Sequence, residues 1–232
     1  MGIVTLDFES LNSRFEASTP QEILEWALES FWPAIAMSSS FQTQSIPLLH
    51  RITQIKPELP VFFLDTGYHF QETLEFKANL QKTWGINIID LRNEECDDEK
   101  DAHSGEQLYL TDPERCCYIN KVAPMKKALQ NMRAWITGIR REQTPERPQA
   151  NIIERRSSGL VKINPILNWT QADVYRNIYG HNLPMHPLFT SNYPSVGCAP
   201  CTRPVQPGEQ ERGGRWAGSD KTECGLHTIF FS

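Results

Sequence analysis

The chemistry legible in this 232-residue chain begins with its six cysteines, Cys96, Cys116, Cys117, Cys198, Cys201 and Cys224. In a secreted domain such a set would suggest three disulfides, but in a reducing cytosol it points to metal ligation or catalysis. Spacing favours metal for four of them: the adjacent pair in "RCCYINK" and the Cys198-x-x-Cys201 of "VGCAPCTR". Four thiolates hold either zinc or a [4Fe-4S] cluster. Zinc knuckles usually separate their cysteines by a few residues on both sides. Neighbouring cysteines aim their side chains apart and suit a cluster, which presents separate irons at its corners, so a cluster is preferred over zinc. Buried, unligated thiols with one chance Cys-x-x-Cys are the plainer alternative. Lys121, five residues after Cys116, is placed to offset thiolate charge and to reach an anionic substrate.

A second constellation is Ser38, Ser39 and Ser40, followed by Gln42, Thr43 and Gln44 at the opening of a helix. Hydroxyls and free amides at a helix start form an anion site, and "LDTG" (Leu64, Asp65, Thr66, Gly67) can line a nucleotide beside it. The loop has neither glycine nor a Walker lysine, and a polar helix cap is its plainer reading. Basic clusters stand at Arg140, Arg141 and Arg147, at Arg155 and Arg156, and at Arg212 and Arg215. Cys96, in "NEECDDEK", is surrounded by acids that disfavour its thiolate and reads as an unreactive thiol. For Cys224, in "KTECGLH", the residues alone leave ligand, disulfide half, spare or nucleophile open.

The elements that must position these groups alternate. "STPQEILEWALESF" is a helix with Thr19 as cap, Pro20 at its first position and Glu22 closing a capping box. Apolar strands "PAIAMSSS", "LPVFFLDTG", "GINIIDL", "AWITGIR" and "GLVKINPI" are separated by helical patterns in "QTQSIPLLHRITQI", "FQETLEFKANLQKTW", "NKVAPMKKALQNM" and "TQADVYRNIYG", the last closed by Gly180. Strand–helix alternation predicts an α/β fold, a parallel sheet flanked by helices, with ligands beyond the carboxyl ends of the strands. Past about Leu183 periodicity fades into Pro-, Gly- and Ser-rich sequence carrying three of the six cysteines.

The length suits one main core, 39% of residues are hydrophobic, and no apolar run reaches the roughly 20 residues of a membrane helix. The net charge of −5 argues against sequence-independent nucleic-acid binding. No secretory leader is legible in "MGIVTLDFESLNSRF", so a cytoplasmic protein with no membrane or nucleic-acid partner is expected.

"SSSFQTQ", "LDTGYHFQET", "NKVAPMKKAL", "GIRREQ", "MHPLF", "SVGCAPCTR" and "ECGLH", in this order from residue 38 to residue 227, resemble the motifs of the thioredoxin-dependent adenylyl-sulfate and phosphoadenylyl-sulfate reductases. The resemblance implies an adenine-nucleotide alpha-hydrolase-like (PP-loop) fold and reduction of an activated sulfate to sulfite and a nucleotide monophosphate. It places a [4Fe-4S] cluster on Cys116, Cys117, Cys198 and Cys201 and makes Cys224 the nucleophile. Ser38, Ser39, Ser40 and Gln42 match the phosphate loop, and Leu64, Asp65, Thr66 and Gly67 the second nucleotide-contacting turn. Lys121 matches the lysine near the cluster, Arg140 the strand-end arginine, and Arg212 and Arg215 the tail arginines that hold the phosphosulfate.

On this reading residues 1–206 form the nucleotide- and cluster-binding domain, and 207–232 a flexible tail that brings Cys224 to the substrate and then to thioredoxin or glutaredoxin. Cysteine accounting agrees: of the two thiols outside the cluster set, only Cys224 follows a basic, glycine-interrupted stretch able to fold over an anion. Cationic neighbours would lower its pKa, Glu223 would oppose them, and His227 is assigned no proton transfer. Adenylyl sulfate is the expected substrate. "SSSFQTQ" and "INKVAPM" look more like members that lack the cluster and take the 3'-phosphorylated form, so phosphoadenylyl sulfate is the alternative. Remoter alternatives are an ATP-using PP-loop enzyme and a zinc-stabilised binding module; a homo-oligomer is compatible with the sequence.

Overall fold

The structure, a computed structural model, describes residues 6–93, 107–217 and 221–227. Cys96 lies outside the described residues. The chain opens with α1 (Phe8–Phe15) and α2 (Pro20–Phe31). The expected capping box starts α2: the Thr19 hydroxyl accepts from the Glu22 N–H at 3.3 Å, and the Glu22 carboxylate accepts from the Thr19 N–H at 2.7 Å. Its buried face is Ile23, Leu24, Ala27, Leu28 and Phe31.

Strands and helices then alternate as β1 (Ile35–Ser38), α3 (Ile46–Ile55), β2 (Val61–Leu64), α4 (Gln71–Trp84) and β3 (Ile88–Leu91). Gly85, at φ 64°, takes the left-handed turn that ends α4. Two short helices, α5 (Leu108–Thr111) and α6 (Pro113–Cys117), lead through a π-helical turn (Tyr118–Val122) into α7 (Ala123–Leu129). The last elements are β4 (Ala134–Ile136), β5 (Ile153–Arg155), β6 (Val161–Ile163) and α8 (Gln171–Gly180). Gly180 sits inside the last turn of α8 rather than beyond it, and Asn182, at φ 50°, makes the left-handed step.

The sheet has the order β3-β2-β1-β4-β6-β5. Neighbours from β3 to β6 pair in parallel, as expected, and β5 runs antiparallel at the edge. β5 was not foreseen: three residues are too few for a period, and its Arg155 read only as part of a basic cluster. Residues on the sheet are covered from both sides. Ile35, Met37, Val61 and Phe63 point into the larger apolar core. Ala36, Phe62 and Trp135 point the other way, where Met125, Leu129, Leu160 and Leu226 cover them. Leu226 belongs to the C-terminal segment, so that segment completes the second core. Among the described residues no helix is long and apolar enough to cross a membrane.

Ile136 is fully buried in β4, at the centre of the sheet. Ile136→Ala is expected to lower unfolding stability by about 2–5 kcal/mol, read as a drop in urea midpoint at unchanged slope; an unchanged midpoint would contradict this packing.

Candidate functional site

From β1 the chain builds outward through β2 and β3 on one side, and from β4 through β6 and β5 on the other. Such a reversal leaves a crevice above the carboxyl ends of the two central strands. A cavity of about 170 Å³ lies there. Its walls are Ser38, Ser39, Ser40 and Gln42 after β1, Leu64 at the end of β2, Thr137, Gly138 and Ile139 after β4, and Lys121, Arg147, Arg212, Arg215, Trp216, Cys224 and His227.

The serine loop owes its shape to one strained residue. Phe41 is held at φ 54°, a conformation that aromatic residues rarely adopt. Its N–H donates to the Ser39 hydroxyl at 3.1 Å, and its fully buried ring packs edge-on against Phe63 at 5.7 Å. Burial of that ring offsets the backbone strain and turns the serines toward the cavity. The Ser38 hydroxyl accepts from Trp135 Nε1 at 2.9 Å, while the Gln42 side-chain oxygen accepts from the Val196 N–H at 3.1 Å, tying this loop to the Cys198 segment.

Cys116, Cys117, Cys198 and Cys201 line a second, smaller cavity together with Thr66, Asn120 and Lys121. Helix α6 supplies the first two, started by Asp112, whose side chain accepts from the Arg115 N–H at 2.9 Å. The Cys198 segment is carried to them by a single antiparallel bridge to His69 and by the Ala199 N–H, which donates to the Tyr68 carbonyl at 2.7 Å. All four thiols, and that of Cys224, are free. Among the described residues no three Cys, His, Asp or Glu side chains converge on one ion.

Lys121 and Cys198 line both cavities. The π-helical turn explains the position of the lysine. Pro124 has no N–H to offer the carbonyl of Asn120, so the regular ladder cannot pass, and the chain widens until the Ala123 N–H reaches the Tyr118 carbonyl. Burial opposes a charge on Lys121, but attraction to the sulfur of Cys198, and then to those of Cys117 and Cys224, outweighs it and raises its pKa. Burial likewise opposes ionisation of Cys198, yet Lys121, a 3.3 Å contact with the Thr66 hydroxyl, and Arg215 hold its thiol below the usual range. Burial raises Cys116, Cys201 and, to about 11, Cys117. The protein's own cations therefore do not suffice to ionise all four thiols.

Arg212 and Arg215 arrive on a segment that folds back over the Cys-x-x-Cys turn. The Arg203 N–H donates to the Gly214 carbonyl at 2.9 Å, the Trp216 N–H to the Cys201 carbonyl at 3.0 Å, and Thr202 pairs with Arg215. Two glycines permit the approach. A Cβ on Gly214 would stand 2.1 Å from the Arg203 carbonyl oxygen, and one on Gly197 would stand 2.2 Å from the Arg215 guanidinium. The buried ring of Trp216 lies 4.5 Å from the Arg215 guanidinium and 5.9 Å from that of Arg212. Burial, then repulsion from Arg215, lowers Arg212 to about 10. His227 stacks on Trp135 at 5.5 Å, and burial among cations pushes its pKa well down, so its ring is neutral at neutral pH.

Four of the residues expected at the nucleotide do not line this cavity. Asp65 accepts from the Gly67 N–H at 3.1 Å and pairs with Arg92 at 2.7 Å, shaping the turn. Gly67 supplies that turn's positive φ of 72°. Thr66 faces Cys198. Arg140 is fully buried behind the cavity, bonded to Glu142 and Gln44 and 3.4 Å from Glu211. Conversely, Arg147, Trp216 and Glu223 line the cavity and were not singled out as site residues. Glu223 does not burden the neighbouring thiol with a bare charge: its carboxylate pairs with Arg147 at 2.7 Å and accepts from the Thr144 hydroxyl at 3.0 Å. That pairing joins residues far apart in sequence, and no local pattern announces it.

Residues 34–204 match the family model of the phosphoadenosine phosphosulfate reductase domain. An adenosine 5'-phosphosulfate reductase of Rhodococcus opacus is 42% identical over 221 residues, covering 91% of this chain and 90% of its own. One of Salinibacter ruber is 39% identical, covering 94% and 88%. Among solved structures, the phosphate complex of phosphoadenylyl-sulfate (PAPS) reductase from Candida auris superposes with a TM-score of 0.75 at 26% identity, over 88% of this chain and 100% of that one. The FMN adenylyltransferase of Candida glabrata shares the fold alone, with a TM-score of 0.61 at 15% identity over 96% of this chain and 80% of that one.

Gly197→Ala is expected to displace the Arg215 guanidinium while leaving the thermal midpoint nearly unchanged. Affinity of the cavity for AMP plus sulfite, measured by calorimetry, should fall about 10-fold, the scale of one charge-assisted hydrogen bond. Unaltered affinity would show that Arg215 does not face the ligand.

Proposed function

The chain belongs to the phosphoadenosine phosphosulfate reductase domain family, and from that premise we propose that it reduces adenylyl sulfate to sulfite and AMP, as an oxidoreductase of sulfate assimilation. The observation that carries this reading is a single one: Cys224 lines the same cavity as the serine loop, Lys121, Arg212 and Arg215. A sulfuryl group is wrapped in negative oxygen, so a thiolate reaches its sulfur only where cations offset the repulsion and stabilise the departing phosphate. The relatives that cover almost all of this chain are named for adenosine 5'-phosphosulfate.

The Cys224 thiolate attacks the sulfur, forming the S–S bond of an S-sulfocysteine as the sulfur–oxygen bond to phosphate breaks, and the electron pair leaves with AMP. Lys121, Arg212 and Arg215 hold the charge that shifts onto the phosphate. A thiolate of reduced thioredoxin, or of glutaredoxin, then attacks Cys224 Sγ. Sulfite departs with the bonding pair, and the second thiol of the donor resolves the mixed disulfide, restoring Cys224 and leaving the donor oxidised. Trp216 Nε1 and His227 Nδ1, buried without a hydrogen-bond partner among the described residues, are donors or acceptors available to the bound nucleotide.

Four free thiols, those of Cys116, Cys117, Cys198 and Cys201, line one cavity, and this all-sulfur donor set supports a [4Fe-4S] cluster held by them. When bound, such a cluster supplies the countercharge that ionises its thiols and crosslinks α6 to the Cys-x-x-Cys turn. Lys121 then pairs with thiolate charge on one side and faces the substrate on the other.

The 3'-phosphorylated substrate is the second reading, favoured by the likeness to the Candida auris enzyme. With reduced thioredoxin supplied, sulfite is expected from adenylyl sulfate at a higher kcat/KM than from its 3'-phosphorylated form; the reverse order would reassign the substrate, and no sulfite from either would end the proposal. Cys224→Ser should abolish sulfite formation and keep iron and acid-labile sulfide bound. Bleaching by that variant with activity retained would exchange the roles of the cysteines.

A further inference from the structure

Besides Leu226 in the second core and His227 stacked on Trp135, the segment that carries Cys224 is fastened at three polar points. Lys221 pairs with Glu114 on the helix of Cys116 and Cys117. The Thr222 hydroxyl donates to Glu146 at 3.0 Å, and its carbonyl accepts from Arg212 at 2.9 Å. The third point is buried: both side chains of the Arg147–Glu223 pair are only 9% exposed. Glu223 takes two contacts from Arg147, at 2.7 and 3.0 Å, and one from Thr144, with Arg212 at 3.8 Å. Arg147 is itself braced by Gln143, whose amide donates to Gln44 at the serine loop, 3.2 Å away. A rigid path thus runs from the loop after β1, through the loop after β4, to the residue next to the nucleophile.

We propose that Glu223 is a positioning residue: its ion pair with Arg147 latches the tail so that the Cys224 thiol meets the sulfur of the substrate, and the latch opens for the protein dithiol. This rests on the sulfur-transfer reading above. Cys224 as docked is half-buried, packed beside the second apolar core and facing into the cavity. A thiolate carried on another protein cannot enter that space, so the tail lifts between the two halves of the reaction. Two charged side chains suit such a latch. Docked, they satisfy one another; lifted, each regains water, so the desolvation they surrendered on closing is returned on opening.

The two half-reactions separate the latch from a merely structural role. In single turnover without a dithiol, Glu223→Gln should slow AMP release and S-sulfonation of Cys224, followed by intact mass, by about 100-fold, the scale of a 1 Å misplacement of a reacting group. Reduction of the isolated S-sulfonated variant by thioredoxin should run at least as fast as in wild type. Unchanged S-sulfonation overturns the latch, and so does an equal slowing of both halves. Amide hydrogen exchange over 221–227 needs no substrate and should speed up in the variant. Unchanged exchange overturns the latch even if the wild type forms no adduct, an outcome that would separately end the sulfur-transfer reading.

Discussion

The ammonium of Lys121 is kept charged, against burial, by the cysteine sulfurs around it, Cys198 first among them, and the arrangement of both cavities depends on it. The same cation draws Cys198 toward ionisation on the cysteine side and presents positive charge on the nucleotide side. It stands there because the helix from Pro113 to Leu129 cannot run straight: a proline at position 124 forces one wide turn, which re-aims the residues just before it. A regular helix would carry Lys121 on a different face relative to Cys116 and Cys117. A backbone irregularity that looks like a defect in the ladder is thus what couples the two sites.

The arginine-bearing segment packs beside that cation without supplying it a carboxylate counterion. Gly197 and Gly214 let the arginine-bearing segment lie close against the Cys-x-x-Cys turn, and Trp216 takes up the flat guanidinium faces without supplying a counterion. Burial and, after it, repulsion from Arg215 depress the pKa of Arg212. Their mutual repulsion is relieved when an anion binds between them, so the empty-handed site is poised for a polyanionic ligand.

Much of this was legible in the sequence. The Thr19–Glu22 capping box, the four central strands and their polar carboxyl ends have local signatures, and local signatures survive folding. The two cysteine pairs were legible from spacing. The expected residues that do not line the cavity share one cause, that a motif fixes its backbone but not the partner of each side chain. "LDTG" does form the turn beside the cavity, yet only Leu64 lines it; Thr66 turns to Cys198 and Asp65 to Arg92. Arg140 does follow β4, yet its charge is consumed by Glu142 and Glu211. Ion pairs such as Arg147–Glu223 depend on which distant loops meet, and that follows from strand order rather than from any window of residues.

The charge count around Cys224 bears on why the proposed nucleophile sits on a C-terminal segment. Four cations, Lys121, Arg147, Arg212 and Arg215, line the cavity beside one carboxylate, Glu223. Arg147 absorbs that carboxylate, which leaves three cations facing an incoming anion. In the proposed transfer step the Cys224 thiolate and the sulfonucleotide, already two anions, become a nucleotide phosphate and a sulfonate on Cys224; no bond forms between these two products, so their mutual repulsion works to part them. On a fixed strand the sulfonated cysteine would have to await the departure of AMP and then admit a protein dithiol into the same cleft. On a segment held by ion pairs and one buried leucine, the same repulsion can move the sulfonate outward, and the site that activates the thiol need not be the place where it is restored.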